Sequence, residues 1–169
     1  MGDVRLTASD RTDTDVVVRP RDPSKGGDVR LAEQTLVECA GGRLLVKTPK
    51  SWKRFTPFGG HEAVEVVIDL PTGSTATVET EMGDVTTDGE LGACRVTSGM
   101  GSVRIDQTEG LQARSGFGDV VVDRVVGDAQ IKTGSGDLRI GTIEGAGTIT
   151  NSNGNTTVDD VTGELQVKA

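Results

Sequence analysis

The sequence predicts an all-β fold, a parallel β-solenoid (β-helix) of about 18 residues per coil, and three observations carry this prediction. Two rows of glycines recur between Glu81 and Ala169, each with spacings of 18, 17, 18 and 18 residues, which is typical of a solenoid. Around them, aliphatic residues alternate with polar ones, as in half-buried strands. The chain has no Tyr, one Trp and three Phe, and a narrow solenoid needs no aromatic core. The first row is Gly83, Gly101, Gly118, Gly136 and Gly154, and the second is Gly92, Gly110, Gly127, Gly145 and Gly163.

Residues 81–169 are predicted to form the regular solenoid, because stacking the repeats places aliphatic, mostly β-branched residues in shared columns. Their spacing favours two main sheets with a short third side, and a triangular cross-section is the alternative. The general handedness of parallel crossovers predicts a right-handed coil. The predicted inward columns are Val85, Val103, Val120, Leu138 and Thr156; Thr87, Ile105, Val122, Ile140 and Val158; Val96, Ala113, Ile131, Ile149 and Val167; and Val125, Ile143 and Val161.

The glycine-rich segments 98–101, 115–118 and 133–136 are predicted to be corners where the chain reverses. Glycine supplies the positive φ that such corners need. Asp84, Asp119 and Asp137 begin the strands that follow, and we expect them to bond nearby backbone N–H groups as in Asx-type turns. These residues are therefore interpreted as determinants of the fold.

Residues 1–80 are rich in predicted strands but show no repeat. We interpret them as an irregular β N-terminal cap, or as irregular first coils of the same domain, because an uncovered first coil would expose a strand edge. The clearest hairpin spans residues 37–45, with Gly41-Gly42 at its turn. The predicted strands are Val4–Thr7, Asp15–Arg19, Thr35–Cys39, Arg43–Lys47, Glu65–Leu70 and Thr75–Glu79.

The repeated Gly-Asp-Val/Leu corners, each followed by Val/Ile-x-Val/Ile-Asp and a glycine about nine residues later, carry a family resemblance. With the stretches 13–20 and 66–74, they resemble the bacterial adhesin-like family of β-strand-repeat proteins, long catalogued as a domain of unknown function. The resemblance covers nearly the whole chain and implies a β-strand-repeat fold. Its adhesin label implies a role at the cell surface.

Charge and hydropathy restrict the partners and the location of the chain. The net charge of −8 and the pI near 4.7 argue against duplex nucleic acid as a partner. No apolar run is long enough for a membrane span. Residues 1–7 lack the apolar region of a signal peptide, which predicts a cytoplasmic location, or a surface location if the N-terminus was trimmed. Cys39 and Cys94 are expected to be free thiols.

The segment 47–61 is the candidate partner-binding loop. It contains the only Trp, the only His and two of the three Phe, together with four positive charges in an acidic chain. Cations interleaved with aromatic rings suit an anionic partner or surface. The alternative is that Trp52 and Phe55 cover an open end of the solenoid as a lid. The candidate residues are Lys50, Trp52, Lys53, Arg54, Phe55 and Phe58.

No catalytic, cofactor-binding or metal-binding motif is present, so we expect a protein that is not an enzyme and has no cofactor. The favoured hypothesis is a structural or interaction scaffold with a protein partner or homo-oligomer through the solenoid ends. The pattern runs to Ala169 without a polar capping segment, as expected of a chain that continues or an end that meets another copy. A glycan-binding or adhesin-like β-helix is the alternative and predicts an acidic, partly aromatic groove. A calcium-binding β-roll is a weaker alternative, suggested by the column of Asp106, Asp123 and Asp159.

Overall fold

The computed structural model describes residues 2–48 and 62–168, in which fourteen strands and one helix follow one another. Adjacent coils are joined almost entirely by parallel strand pairing. The strands are β1 (Gly2–Ser9), β2 (Asp15–Pro20), β3 (Leu36–Ala40), β4 (Arg43–Lys47), β5 (Val64–Pro71), β6 (Thr75–Met82), β7 (Val85–Met100), β8 (Val103–Phe117), β9 (Val120–Val125), β10 (Ala129–Ser135), β11 (Leu138–Ile143), β12 (Gly147–Asn151), β13 (Thr156–Val161) and β14 (Leu165–Lys168), and the helix is α1 (Gly26–Gln34).

The predicted parallel β-solenoid is confirmed. Val103 pairs with Val120, and Val120 pairs with Leu138, both in parallel. The offsets of 17 and 18 residues are those of the glycine rows. Five regular coils follow from this pairing, formed by β7, by β8, by β9 with β10, by β11 with β12, and by β13 with β14.

Two sheets make up each coil. The leading sheet contains the first half of each coil, in the order β13, β11, β9, β8, β7, β1, β5 and β2. The return sheet contains the second half, in the order β14, β12, β10, β8, β7, β6, β4 and β3. Because β7 and β8 are long enough to take part in both sheets, the hydrogen-bonded network is continuous across fourteen strands.

The core lies between the two sheets and consists of the predicted aliphatic columns. Ile105, Ile140, Ile131 and Ile149 are at most 1% exposed. Ile143, from the predicted column between the two sides, is fully buried. Burying such side chains is the main stabilising term in folding, and here it accumulates coil by coil along the axis. The last coil is less enclosed, since Val167 is 48% exposed.

The N-terminal strand β1 lies between two strands that are far from it in sequence. Val4 pairs in parallel with Val66 of β5 on one side and with Val85 of β7 on the other. On the return sheet no strand is inserted, because Ala76 of β6 pairs directly with Cys94 of β7. Residues 64–82 thus form an additional coil before the five regular ones. The strand β1 is inserted between this coil and the first regular coil, in the leading sheet only.

Antiparallel strands and a helix cover the N-terminal end. In the leading sheet β2 pairs antiparallel with β5, and in the return sheet β3 pairs antiparallel with β4. The predicted hairpin of residues 37–45 is confirmed, with φ of 57° at Gly41 and 73° at Gly42. The helix α1 connects β2 to β3 and buries Leu31 to 5% exposure against the core. This end of the solenoid therefore has a built cap.

The helix α1 was not predicted, although the strands of residues 1–80 were. Gly26 and Gly27 open the helix, and glycine is among the weakest helix formers. Its position depends on tertiary contacts, because the buried carboxylate of Asp28 accepts hydrogen bonds from the backbone N–H groups of Asp22 at 3.0 Å and Ala63 at 2.8 Å. The contact with Ala63 joins α1 to the start of β5. Because these residues are far apart in the chain, a local sequence pattern does not predict this contact.

The interpretation of the corner glycines needs one correction. Gly118 has the predicted positive φ, 126°, but Gly116 in the same corner does not. A Cβ at Gly116 would lie 2.5 Å from the carbonyl oxygen of Gly99 in the preceding coil. Gly116 is therefore required by the close approach of two coils and not by a left-handed backbone conformation.

Candidate functional site

The outward face of the return sheet carries positive charge in an otherwise acidic chain. We call the outward side chains of this sheet from β7 to β14 the basic face. Four exposed cations lie on it, Arg95, Arg114, Lys132 and Lys168. The strand segments 94–100, 111–117, 129–135, 147–151 and 165–168 contain no aspartate or glutamate, whereas the whole chain has 26 acidic residues against 18 basic ones. The four cations thus lie on strand segments without a carboxylate of their own.

Two of these cations are direct neighbours. Arg114 pairs with Lys132 across β8 and β10, so their Cα atoms lie about 4.8 Å apart, the usual spacing of adjacent strands. Neither side chain forms an ion pair with another residue in the described part of the chain. In the same outward column, by contrast, Lys47 is 3.1 Å from Glu79. Like charges placed side by side on a sheet are unfavourable, and an anion would relieve the repulsion.

A groove of about 440 Å³ lies beside Arg114 and Lys132, and we call it the corner groove. Gly116 and Gly134 are among the residues that line it. Neither position tolerates a side chain, since a Cβ at Gly134 would lie 2.6 Å from the carbonyl oxygen of Gly116. The lack of side chains at these corners helps to leave the surface concave next to the two cations.

A smaller depression of about 80 Å³ continues along the basic face and is lined by amides and hydroxyls. The side-chain nitrogen of Gln112 donates a hydrogen bond to Oε1 of Gln130 at 2.7 Å, so these amides form a ladder along the solenoid axis. Thr148 and Thr150 line the same depression. Donors and acceptors of hydrogen bonds thus alternate with the cations on one surface.

A ladder of buried polar side chains adjoins the corner groove. Ser98, Ser115 and Thr133 pair in register between β7, β8 and β10, and all three are among the lining residues. They are 3%, 7% and 0% exposed. Their hydroxyl oxygens have no hydrogen-bond partner in the described part of the chain, which costs free energy for a buried polar group. Asn151 extends the ladder by one coil.

The buried ladder was missed in the sequence, where these residues were interpreted as parts of turns. The sequence did contain this information. Every second residue of a strand points to the same face, so the alternation that places Ala113 and Ile131 inward also places Ser115 and Thr133 inward. The strands β7, β8 and β10 continue through the first three residues of the predicted corners and end at Met100, Phe117 and Ser135. One residue beyond the glycines, Met100 is 47% exposed and Phe117 is 58% exposed.

The corner aspartates bond to backbone N–H groups, as predicted, but not within their own turns. Asp84 accepts a hydrogen bond from the N–H of Ser102 at 2.8 Å, and Asp137 accepts one from the N–H of Asn155 at 2.9 Å. Each donor is 18 residues away, so the carboxylates link successive coils instead of closing Asx-type turns. Among the described residues no group of three or more His, Cys, Asp or Glu side chains could hold a metal ion.

The candidate partner-binding residues Lys50, Trp52, Lys53, Arg54, Phe55 and Phe58 lie outside the described residues, so their role stays a prediction. Cys39 and Cys94 are free thiols, the first exposed and the second buried. No helix among the described residues is long and apolar enough to cross a membrane.

The acidic, partly aromatic groove of the glycan hypothesis is not found on the basic face. The corner groove is lined by Arg114, Lys132, hydroxyls and glycines, with no carboxylate. Cleavage of a glycosidic bond needs a pair of carboxyl groups flanking the bond, and this groove does not supply them. The corner groove therefore does not match the groove that this hypothesis predicts, and glycan binding at another face stays a prediction.

The fold and the repeat-built face define a protein of the β-solenoid class, capped at its N-terminal end. The profile of the Toastrack DUF4097 family matches residues 2–169, so the chain belongs to this family, a domain of unknown function. The match covers almost the entire chain and agrees with the β-strand-repeat resemblance, without supporting the adhesin label. Searches of curated proteins and of solved structures returned no match.

Proposed function

We propose that the protein is a non-enzymatic interaction scaffold that associates through the last coil of its solenoid. The observation behind this proposal is the difference between the two ends. At the first end, antiparallel strands and α1 cover the stack. At the last coil, β13 pairs only with β11 and β14 only with β12 among the described strands. A parallel edge of this kind accepts another strand, whether from residues that follow in the same chain or from a second copy.

The side chains of the last coil support the same proposal. Leu165 is 39% exposed and Val167 is 48% exposed, although both continue columns that are buried in earlier coils. Ile149, the neighbour of Val167 in the preceding coil, is fully buried. A partner strand laid on β14 would cover these side chains as β14 covers those of β12. The proposed partner is a second copy of the chain, since its coils have matching spacing, and the test uses the full-length protein so that any following residues are present.

Sedimentation velocity of the full-length protein over a wide concentration range tests this proposal. The wild type is expected to associate as its concentration rises, and Val167→Asp is expected to abolish association by placing a charge on the exposed column. Val126→Asp is the matched control, because Val126 is 38% exposed on the side of the solenoid and not at its last coil. A wild-type protein that stays monomeric at every concentration would remove self-association. Equal effects of the two variants would remove the last coil as the contact.

A further inference from the structure

We infer that the basic face binds a linear acidic polysaccharide, with carboxylate groups of the sugar chain beside Arg114 and Lys132 in the corner groove. The inference rests on three features of one face: cations without an ion-pair partner among the described residues, a groove with glycines at its corners, and neighbouring amide and hydroxyl side chains. It does not rest on the proposed association of the last coil, which lies on a strand edge and not on this face.

The exposed positive charges of the basic face indicate that its ligand is an anion. Arg114 and Lys132 are exposed, adjacent and without an ion-pair partner in the described residues. Guanidinium and ammonium groups donate strong, charge-assisted hydrogen bonds to carboxylates. Arg95 and Lys168 lie on the same face, on β7 and β14, so the positive charge extends along the solenoid axis. An elongated ligand with repeated negative charges matches this arrangement better than a single ion.

The neutral side chains of the basic face favour one class of polyanion over another. Gln112, Gln130 and Thr148 present both hydrogen-bond donors and acceptors. The phosphate groups of a phosphodiester chain only accept hydrogen bonds, whereas the hydroxyls of a sugar chain both donate and accept them. A carboxylated sugar chain can therefore satisfy the cations and the amide ladder together.

The scarcity of aromatic side chains among the described residues argues against single-stranded nucleic acid as the ligand of the basic face. Binding of single strands relies on a series of aromatic platforms on which successive bases stack. Phe117 is the only aromatic side chain among the described residues, and it lies at the end of β8 beyond the corner groove. One ring does not form a series. An acidic peptide is disfavoured as well, because the centre of the basic face lacks the apolar anchors typical of protein interfaces.

Isothermal titration of the full-length protein at low salt tests the inference, with polygalacturonate as the probe. Dextran supplies neutral sugar hydroxyls, poly-L-glutamate supplies carboxylates without sugar, and oligo-dT supplies a single-stranded nucleic acid. Polygalacturonate is expected to bind, and to bind more tightly than each of the other three polymers. Absence of binding, or equal or tighter binding of dextran, poly-L-glutamate or oligo-dT, would overturn the inference.

The site is tested with R114Q/K132Q and with R104Q/R139Q as the matched control. Arg104 and Arg139 are exposed on the outward face of the leading sheet, so both double variants change the net charge by the same amount. R114Q/K132Q is expected to weaken polygalacturonate binding by about tenfold or more, as lost charge-assisted hydrogen bonds imply, and the control by much less. Equal losses would show attraction to the overall charge and overturn the assigned site. Sedimentation of R114Q/K132Q is expected to match the wild type, which keeps this result separate from the test of self-association.

Discussion

The carboxylate of Asp119 accepts a hydrogen bond from the backbone N–H of Asp137 at 2.9 Å, one coil further along the solenoid. Asp137 in turn accepts one from the N–H of Asn155, also at 2.9 Å. A similar contact joins Asp3 to the N–H of Asp84 at 3.0 Å, across 81 residues of sequence. These side chains extend the hydrogen-bond network between coils at a corner, so their removal is expected to weaken the stacking.

Asp137→Ala is expected to lower the free energy of unfolding by about 1 kcal/mol, the usual contribution of one net hydrogen bond. The variant loses the contacts with the backbone N–H of Asn155 and with its side-chain amide, at 2.9 and 3.2 Å. Urea unfolding monitored by circular dichroism measures the change. Asp137→Asn, which keeps an acceptor oxygen, should lose less. Asp123→Ala is the control, since Asp123 is exposed on a strand and has no such contact among the described residues. A loss as large for Asp123→Ala would contradict the prediction.

Thr133→Val is expected to leave stability unchanged or raise it by up to about 1 kcal/mol, because it removes a buried hydroxyl for which the described residues supply no hydrogen-bond partner. Thr108 provides the contrast, since its single hydroxyl hydrogen is within reach of two acceptors, the carbonyl oxygens of Gly92 and Gly110. Both threonines are fully buried. Thr108→Val is expected to lower stability by about 1 kcal/mol or more. Thermal melts of the two variants under identical conditions decide the matter, and a similar loss in both would refute the assignment.

Asp28→Ala is expected to destabilise the protein by about 2–3 kcal/mol. The substitution leaves the backbone N–H groups of Asp22 and Ala63 without their acceptor, and the second of these contacts is buried. The exposed Asp13, paired with Arg11, is the control, and Asp13→Ala should cost well below about 1 kcal/mol, as for surface ion pairs. Denaturant midpoints compare the two. An Asp28→Ala effect no larger than that of Asp13→Ala would mean that α1 does not depend on this carboxylate.

Burial raises the pKa of the Cys94 thiol from its usual 9.0 to about 12, whereas Cys39 is exposed. A thiol reagent at neutral pH is therefore expected to modify one cysteine in the folded protein and two after unfolding. Below pH 9 both the folded and the unfolded states hold the Cys94 proton, and stability does not depend on it. Between pH 9 and about 12 the unfolded state loses the proton more readily, so stability falls as the pH rises.

The slope of this loss is expected to approach about 1.4 kcal/mol per pH unit above pH 9. Comparison of the wild type with Cys94→Ala isolates the contribution of this group from that of other titrating side chains. Denaturant titrations between pH 8 and pH 10 are sufficient. Rapid modification of both thiols in the folded protein, or the same pH dependence in Cys94→Ala, would contradict the prediction.

The repeat explains which core positions were predicted correctly, and a misread local pattern explains why one buried position was missed. Val103, Val120 and Leu138 were placed in one column correctly because each repeat carries the same alternation and the spacing is nearly constant. The buried position of Thr133 was missed because a hydroxyl beside glycines is typical of turns, while the alternation that continues through it was not followed to its end.

The sequence by itself determined the solenoid, its coil length and most of its core, because a repeated local pattern must bury the same face in every coil. The tertiary structure alone decided the insertion of β1 between β5 and β7, the docking of α1 through Asp28, and the groove beside Arg114 and Lys132. These features arise from contacts between residues far apart in the chain, where the free energy depends on which surfaces meet and not on local preference.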